Sequence, residues 1–469
     1  MLIATVFVTF FAISAGTGLL QFVLKAVSKK KTNTNPQFLT FQKVYFFVYY
    51  LVIFGDWLNA PYLYKLYSHY GFIEDQIAII YVCGFASALA FGTASNYIVQ
   101  TYGRCRIFII ATLAYAVACL MKLSPDYTIL IVGRLLSGAA TSLLFCAQEQ
   151  WYINTHVQTH DFPVDWIEIT FVRTSKGNCL CAVLAGIIAY LLCEVFAFSP
   201  VVPSLLSVPV LLLSAIFAAK NWKENGSKKG FQSVVNSNTP ESIVRMEKRK
   251  IFKACCQQLR TIFENKNLFQ VGCIQALFES VLCLFVFLWT PVLDHHGPPL
   301  GIVFASFMVS HLLGGTIYRI IINLNKILSC YMMVGILVSA GGAVLICVLT
   351  THPSKEFPII SFCAFLVFEL ASGMYFPAMM DIKKELNLDK VECAAVTWFR
   401  VPLNLIACTG LIFLHSVDNA TGTKNLFACC FVAVITALLI VIRLSRSAKN
   451  MRKTTNDNDD EVILMRGFS

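Results

Sequence analysis

An all-α membrane protein, built as two six-helix bundles with one extra transmembrane helix in front, is the fold class this sequence predicts. Three observations predict it. Of 469 residues, 57% are hydrophobic and only 13% charged, where a soluble domain carries about 25% charged residues. The apolar residues come in runs of about 20, the length a helix needs to cross a hydrocarbon core of about 30 Å. The longest hydrophilic break, Lys220 to Lys266, carries eleven Lys and Arg against four Glu, and comparable lengths of apolar chain lie on either side. A basic loop of that kind stays in the cytoplasm. The predicted organisation is therefore an N-terminal helix and basic loop (1–40), a first bundle (41–220), a cytoplasmic linker (221–266), a second bundle (267–444) and a cytoplasmic tail (445–469).

Composition also narrows function. The net charge of +11 suits an anionic partner, but the Lys and Arg fall in loops that share one side of a membrane instead of forming one basic patch. Topology accounts for them, the bilayer is the implied surroundings, and no nucleic-acid partner is indicated. Eighteen cysteines are scattered with no C-x2-C pair, which points to neither a zinc site nor a disulfide framework. Most read as small core fillers. Cys255-Cys256 in the linker reads either as an acylation site or as an ordinary cytosolic thiol pair. There is no nucleophile elbow, P-loop or HExxH, so neither an enzyme, a cofactor nor an ATP-driven step is indicated.

Leu2 to Leu24 is the first apolar run, followed at once by Lys25, Lys29, Lys30 and Lys31. A signal peptide is positive before its apolar run, whereas this one is positive after it, so the run predicts an uncleaved helix with its N-terminus outside. Phe41 to Tyr67 is the first core helix, with Asp56 deep inside the run from Gly55 to Pro61. Gln76 to Thr101 is the second, and a third ends at about Lys122. Tyr127 to Tyr152 is the fourth, Asp165 to Val195 the fifth, and the sixth ends at Lys220. Beyond the linker, spans begin near Leu268, Gly301, Leu328, Phe357, Val391 and Leu426. Asn323 to Lys326 and Asp381 to Lys390 are the cytoplasmic connections. Arg443, Arg446, Lys449, Arg452 and Lys453 put the tail inside, and its acidic end through Glu461 reads as disordered.

Two short patterns fit one superfamily. Tyr102-Gly103-Arg104-Cys105-Arg106, between the second and third core helices, resembles the D-x-x-G-R-K signature of the major facilitator superfamily, with Gln100 in place of its Asp and Cys105 in place of its Lys. Arg134 to Gly138 resembles the R-x-x-x-G pattern of the superfamily's fourth helix, and falls on the fourth core helix only when the N-terminal helix is left uncounted. In such carriers two halves rock about a central site.

Charges inside spans cost about 2.5–3.5 kcal/mol each on insertion scales, so they mark functional positions by default. The deep set is Asp56, Arg134, Arg173, Lys176, Glu279, Glu369 and Arg400. Each also reads as a buried ion pair that only fixes packing. Four cations against three acids lean toward an anionic substrate. Arg400, about ten residues into its predicted helix and followed by Pro402, reads as a mid-depth cation beside an opened helix, suited to an oxyanion. Arg173 and Arg134 join it as substrate-binding candidates. Glu279, at similar depth, reads as the coupling acid, with Asp56 and Glu369 beside it. His295-His296 reads as a solvated turn next to Gly297-Pro298-Pro299. Asn419-Ala420-Thr421 is a glycosylation sequon on the predicted outer side, and Asn225-Gly226-Ser227 one that a cytosolic linker leaves unused.

Longer runs resemble a particular family. Asp56 to Tyr67, Gln275 to Ser280, Phe287 to Asp294 and Trp398 to Leu403 are similar to the eukaryotic molybdate-anion transporters of the major facilitator superfamily, and the likeness extends from the N-terminal helix to the last span. The resemblance implies high-affinity uptake of molybdate, a tetrahedral dianion. A carrier for another small anion, such as sulfate or an organic anion, and a non-transporting receptor or scaffold on the same frame are the competing readings. A monomer in the plasma membrane is expected, because no endoplasmic-reticulum retention signal ends the chain.

Overall fold

A computed structural model describes residues 1–27, 35–223, 259–324, 328–352, 355–386, 388, 398–415 and 419–466. The chain is helical almost throughout. Among the described residues, twelve helices are long and apolar enough to cross a membrane.

Helix α1 (Leu2–Val27) carries one charge, Lys25, in its last turn. Its Thr9 and Thr17 hydroxyls donate back to the carbonyls of Thr5 and Ile13 at 2.6 and 2.7 Å, which hides them from an apolar surround. Helix α2 (Pro36–Trp57) starts where Asn35 accepts from the Gln37 and Phe38 amides, with Pro36 at the first position. The sequence predicts one helix from Phe41 to Tyr67, and this is corrected: α2 stops at Trp57, and a separate short α3 (Leu63–His69) follows. Pro61 in the intervening turn has no N–H with which to continue the ladder.

Helices α4 (Glu74–Tyr102) and α5 (Arg104–Met121) are joined by Gly103 alone, whose φ of 101° favours glycine. Asp126 caps α6 (Tyr127–Asn154) by accepting from Thr128 and Ile129. A π-turn follows α6, and another follows α7 (Asp165–Tyr190). α8 (Val202–Asn221) leads into the linker, of which residues 224–258 lie outside the described residues. The second set is α9 (Lys266–Asp294), α10 (Leu300–Leu324), α11 (Ser329–Thr350), α12 (Pro358–Glu385), α13 (Arg400–His415) and α14 (Asn419–Arg466). Two-residue strands, Thr351–His352 and Lys355–Glu356, pair antiparallel after α11.

On this stretch one expectation lies outside the described residues and one changes. The predicted start of the α13 span near Val391 lies outside the described residues, and the described helix has 16 residues. The tail is not irregular: α14 runs on to Arg466, and no proline or glycine interrupts the chain between Thr423 and Arg466.

Within the first half α4 and α5 pack on α6, α2 and α5 on α8, and α2 on α7; within the second, α10 and α11 pack on α12, and α9 and α11 on α14. The halves meet where α7 packs on α10, α4 on α13 and the short α3 on α9, and α1 lies against α10. The α7/α10 seam is made of small residues. Ala182, Ala185 and Ala189 on α7 and Ala305 on α10 are fully buried, and Gly186 and Gly301 meet backbone to backbone. Small residues are what allow helices to approach when lipid removes the hydrophobic drive for association. At the end of the seam far from the linker, Lys65 Nζ meets Asp294 at 2.7 Å; at the linker end, Lys384 Nζ meets Glu168 at 3.0 Å. Among the described residues, an ion pair therefore links the halves at either end.

Candidate functional site

Two groups of charge sit between the halves. The first is on the axis. Glu279 lies thirteen residues into the 29-residue α9, about 20 Å along it. It stands beside Gln275 and Tyr375 and feels the charges of Lys383 and Arg400. Lys383 donates to Gln275 Oε1 at 3.0 Å. Across the gap, Glu149 of α6 also faces Arg400. Arg400 and Glu149 are both exposed, so solvent reaches between the halves here. Among the described residues Arg400 closes to ion-pair distance with neither acid. Two cations and two acids make this group charge-balanced.

The expected setting of Arg400 is corrected. It opens α13 instead of lying mid-helix, and Pro402 falls in the first turn, where a missing N–H breaks nothing. The donor fork is therefore held at a helix start, and Asn404 Nδ2 bonds the Arg400 carbonyl at 2.8 Å.

The second group lines a cavity of about 330 Å³ bounded by Tyr49 of α2 and by α7, α10 and α12. Lys176 and Arg319 both line it. Lys176 Nζ donates to Gln21 Oε1 of α1 at 3.1 Å, and Gln21 Nε2 donates to Thr316 Oγ1 at 2.6 Å. Glu369, expected as a coupling acid, is buried in α12 and pairs with His311 Nδ1 at 3.2 Å; Ser372 Oγ stands at the same distance from that nitrogen.

The other predicted residues lie outside both groups. Arg173 Nη1 donates to Gln42 Oε1 at 2.6 Å, and Gln42 in turn donates to Thr170 at 2.5 Å, so the guanidinium is held inside the first half. Arg134 stacks over the Tyr81 ring at 5.0 Å and lies against Gly84, a cation–π packing contact. Asp56 is not deep in a span. It occupies the last turn of α2 and accepts from Tyr115 at 2.5 Å. Beside it, buried Lys122 donates to Asn59 Oδ1 at 2.6 Å and to Ser204 at 3.4 Å, and Asn59 donates to Ser207 at 3.1 Å. This is a buried polar network at the far end of the first half.

Sequence reasoning missed Glu149, Arg319 and the inward use of Lys383. For Arg319 the signal is a charge inside the apolar run from Thr316 to Ile322. Lys383 was assigned to a connection, and only the helical phase of α12, four residues from Met379 in the core, turns it inward.

The comparisons with known proteins agree with this architecture. The family profile described as sugar transporters, 12 TM, matches residues 5–366. A molybdate-anion transporter of Danio rerio is 39% identical over 430 residues, 89% of each chain. One of Takifugu rubripes is 40% identical over 429 residues, again 89% of each. Among solved structures, a POT family transporter in complex with 5-aminolevulinic acid superposes with a TM-score of 0.67 at 11% identity, covering 90% of this chain and 99% of the other. A peptide transporter POT in complex with sulfate does so with a TM-score of 0.67 at 13% identity, covering 92% and 98%. At those identities the superpositions speak for the fold alone.

Proposed function

Because this chain belongs to the molybdate-anion transporter family of the major facilitator superfamily, we propose that it takes up molybdate by alternating access between its two halves. The observation that carries the reading is a solvent-open cation, Arg400, between two halves that an ion pair links at either end. Arg400 meets the oxyanion in the gap, where its planar fork suits two oxygens at once. Glu279 is the acid that trades a proton as the anion comes and goes, since its neutral form is far cheaper at mid-membrane. Arg173 and Arg134, each engaged within the first half, shape that half and add positive potential to the path. Glu369 serves coupling through His311, and Asp56 only by holding the far end of α2.

The linker end faces the cytoplasm, because the Lys and Arg gather there. On this reading the N-terminus is outside and the C-terminus inside, and the protein works as a monomer in the plasma membrane. Moving the anion requires no bond to be made or broken, so the chain works as a carrier and not as an enzyme. Uptake of labelled molybdate in cells lacking their own transporter tests this, with tungstate and sulfate as competitors. Arg400→Ala removes a charge-assisted contact worth about 2–5 kcal/mol, a loss of about 30-fold to several-thousand-fold in apparent affinity. Arg400→Lys recovers part, as a point charge replaces the fork. Normal surface abundance with unchanged affinity in Arg400→Ala rules Arg400 out, and sulfate uptake without molybdate uptake moves the substrate to another anion.

A further inference from the structure

Helix α1 stands outside the two bundles, yet it touches both. Along its length it packs on α10, burying Leu2, Val6, Thr17 and Leu24, while Val8, Phe11, Leu19 and Phe22 stay exposed. Against α7 it sets two side chains. Phe7 meets Tyr190 edge to face, with 5.9 Å between ring centres, and Gln21 Oε1 accepts from Lys176 Nζ at 3.1 Å. The other end of the same amide, Nε2, donates to Thr316 Oγ1 of α10 at 2.6 Å. One side chain of α1 therefore bonds both halves at once.

At the far end α7 and α10 need no such bridge, because Gly186 and Gly301 meet backbone to backbone. Toward the linker the two helices wall the cavity, with Lys176 on one side and Thr316 on the other. Gln21 bonds both of these wall residues, so α1 crosses between α7 and α10 at the level of the cavity. A gap lined by Lys176 and Asn178 and open sideways to hydrocarbon is costly. Helix α1 closes it.

The two bonds of Gln21 are not alike. Thr316 is buried, and its hydroxyl also donates to the Leu312 carbonyl at 2.8 Å, so that end is fixed to α10. Lys176 is half-buried, sits on a flexible stem and is held by a neutral amide oxygen. A carboxylate in that place would grip the ammonium about twice as strongly. The amide holds it and lets it go.

We propose that α1 is a strap carried by the second half, closing the lipid side of the α7/α10 seam, and that Gln21 is a positioning residue whose bond to Lys176 is made and broken in each transport cycle while its bond to Thr316 persists. The proposal rests on the alternating-access reading above and gives the extra helix a part in it.

The test uses the full chain carrying Gln21→Glu, which keeps the shape and gives Lys176 a charged acceptor. The maximal rate of molybdate uptake is expected to fall at least about fivefold, with KM within about threefold, because the bond that must break is stronger. A photoreactive benzophenone side chain in place of Phe7 reads the position of α1 directly. Its capture of the α7 peptide that holds Tyr190 is expected to rise at least about twofold in Gln21→Glu and to fall as much in Gln21→Met, which fills the space with neither bond; capture of α10 stays constant in Gln21→Glu. Capture of α7 that is unchanged in both variants overturns the strap, and a maximal rate within twofold of the parent in Gln21→Glu overturns the place of Gln21 in the cycle. Capture needs no transport, so an unaltered protein that takes up no molybdate, with α7 capture still rising in Gln21→Glu, overturns the transport reading and leaves the strap.

Discussion

Replacing Gly186 by alanine tests whether the α7/α10 seam is a moving part. A Cβ there lies 2.7 Å from the Gly301 carbonyl oxygen, 3.1 Å from Phe304 Cδ1 and 3.2 Å from Ala305 Cβ, where ordinary contact begins at 3.4 Å. Neither a backbone oxygen nor an alanine methyl can rotate away. The helices must therefore part by about 0.7 Å along the tightest contact, which is overpacking of the kind that costs about 1–3 kcal/mol. The cost falls only on the state in which the far ends of α7 and α10 touch. That state loses about 5- to 150-fold in population relative to its partner, in which the seam is open. The expected result is normal surface abundance, a maximal uptake rate reduced at least about fivefold, and faster labelling by an impermeant thiol reagent of a cysteine placed at Ala60, which is half-buried near that end. Uptake within twofold of the parent and unchanged labelling would refute the argument, and would mean that α7 and α10 remain together throughout the cycle.

Two further predictions follow from the same geometry. Glu279→Gln keeps the shape and the hydrogen bonding of the side chain but cannot release a proton, so it is expected to flatten the pH dependence of uptake while altering apparent affinity less than threefold; a mutant with the parent's pH profile would reduce Glu279 to packing. At the far end, Lys65 is 42% exposed and Asp294 18%, and exposed pairs contribute about 0–1 kcal/mol. Lys65→Asp alone is expected to slow uptake less than about fivefold, with recovery in the Lys65→Asp/Asp294→Lys exchange, and failure of the exchange to recover would show that the pair does not hold that end.

The fold was legible because it rests on long runs and loop charge, which are properties of whole segments. Eleven core spans and the separate N-terminal helix, the twelve long apolar helices among the described residues, follow from counting apolar stretches, and the one-residue turn at Gly103 is visible as a tight Gly turn. The site was legible only in its chemistry. Deep charge correctly singled out Glu279 and Lys176 as residues inside the bundle, yet depth along a helix says nothing about which face looks inward. Arg173 and Arg134 thus look equivalent to Arg400 in the sequence, and only the neighbours Gln42 and Tyr81 separate them. Asp56 misled because a helix that ends at Trp57 was read as continuing through Pro61. Lys176 and Arg319, 143 positions apart, line one cavity only because α7 packs on α10, which no local pattern encodes.

Helix α1 leads the chain, yet it packs against the second half, and the Gln21–Thr316 bond spans 295 residues. At about 5–20 residues per second, synthesis needs about 15–60 s after Gln21 is made before its partner exists. For that interval α1 waits in lipid without α10, its earlier contacts being those with α7, where Lys176 bonds Gln21 and Tyr190 meets Phe7. Its composition allows the wait, with a single charge in its last turn and threonine hydroxyls returned to its own backbone. The helix that is made first is thus among the last to be seated, and a chain cut anywhere before α10 leaves it with its main contact unmade.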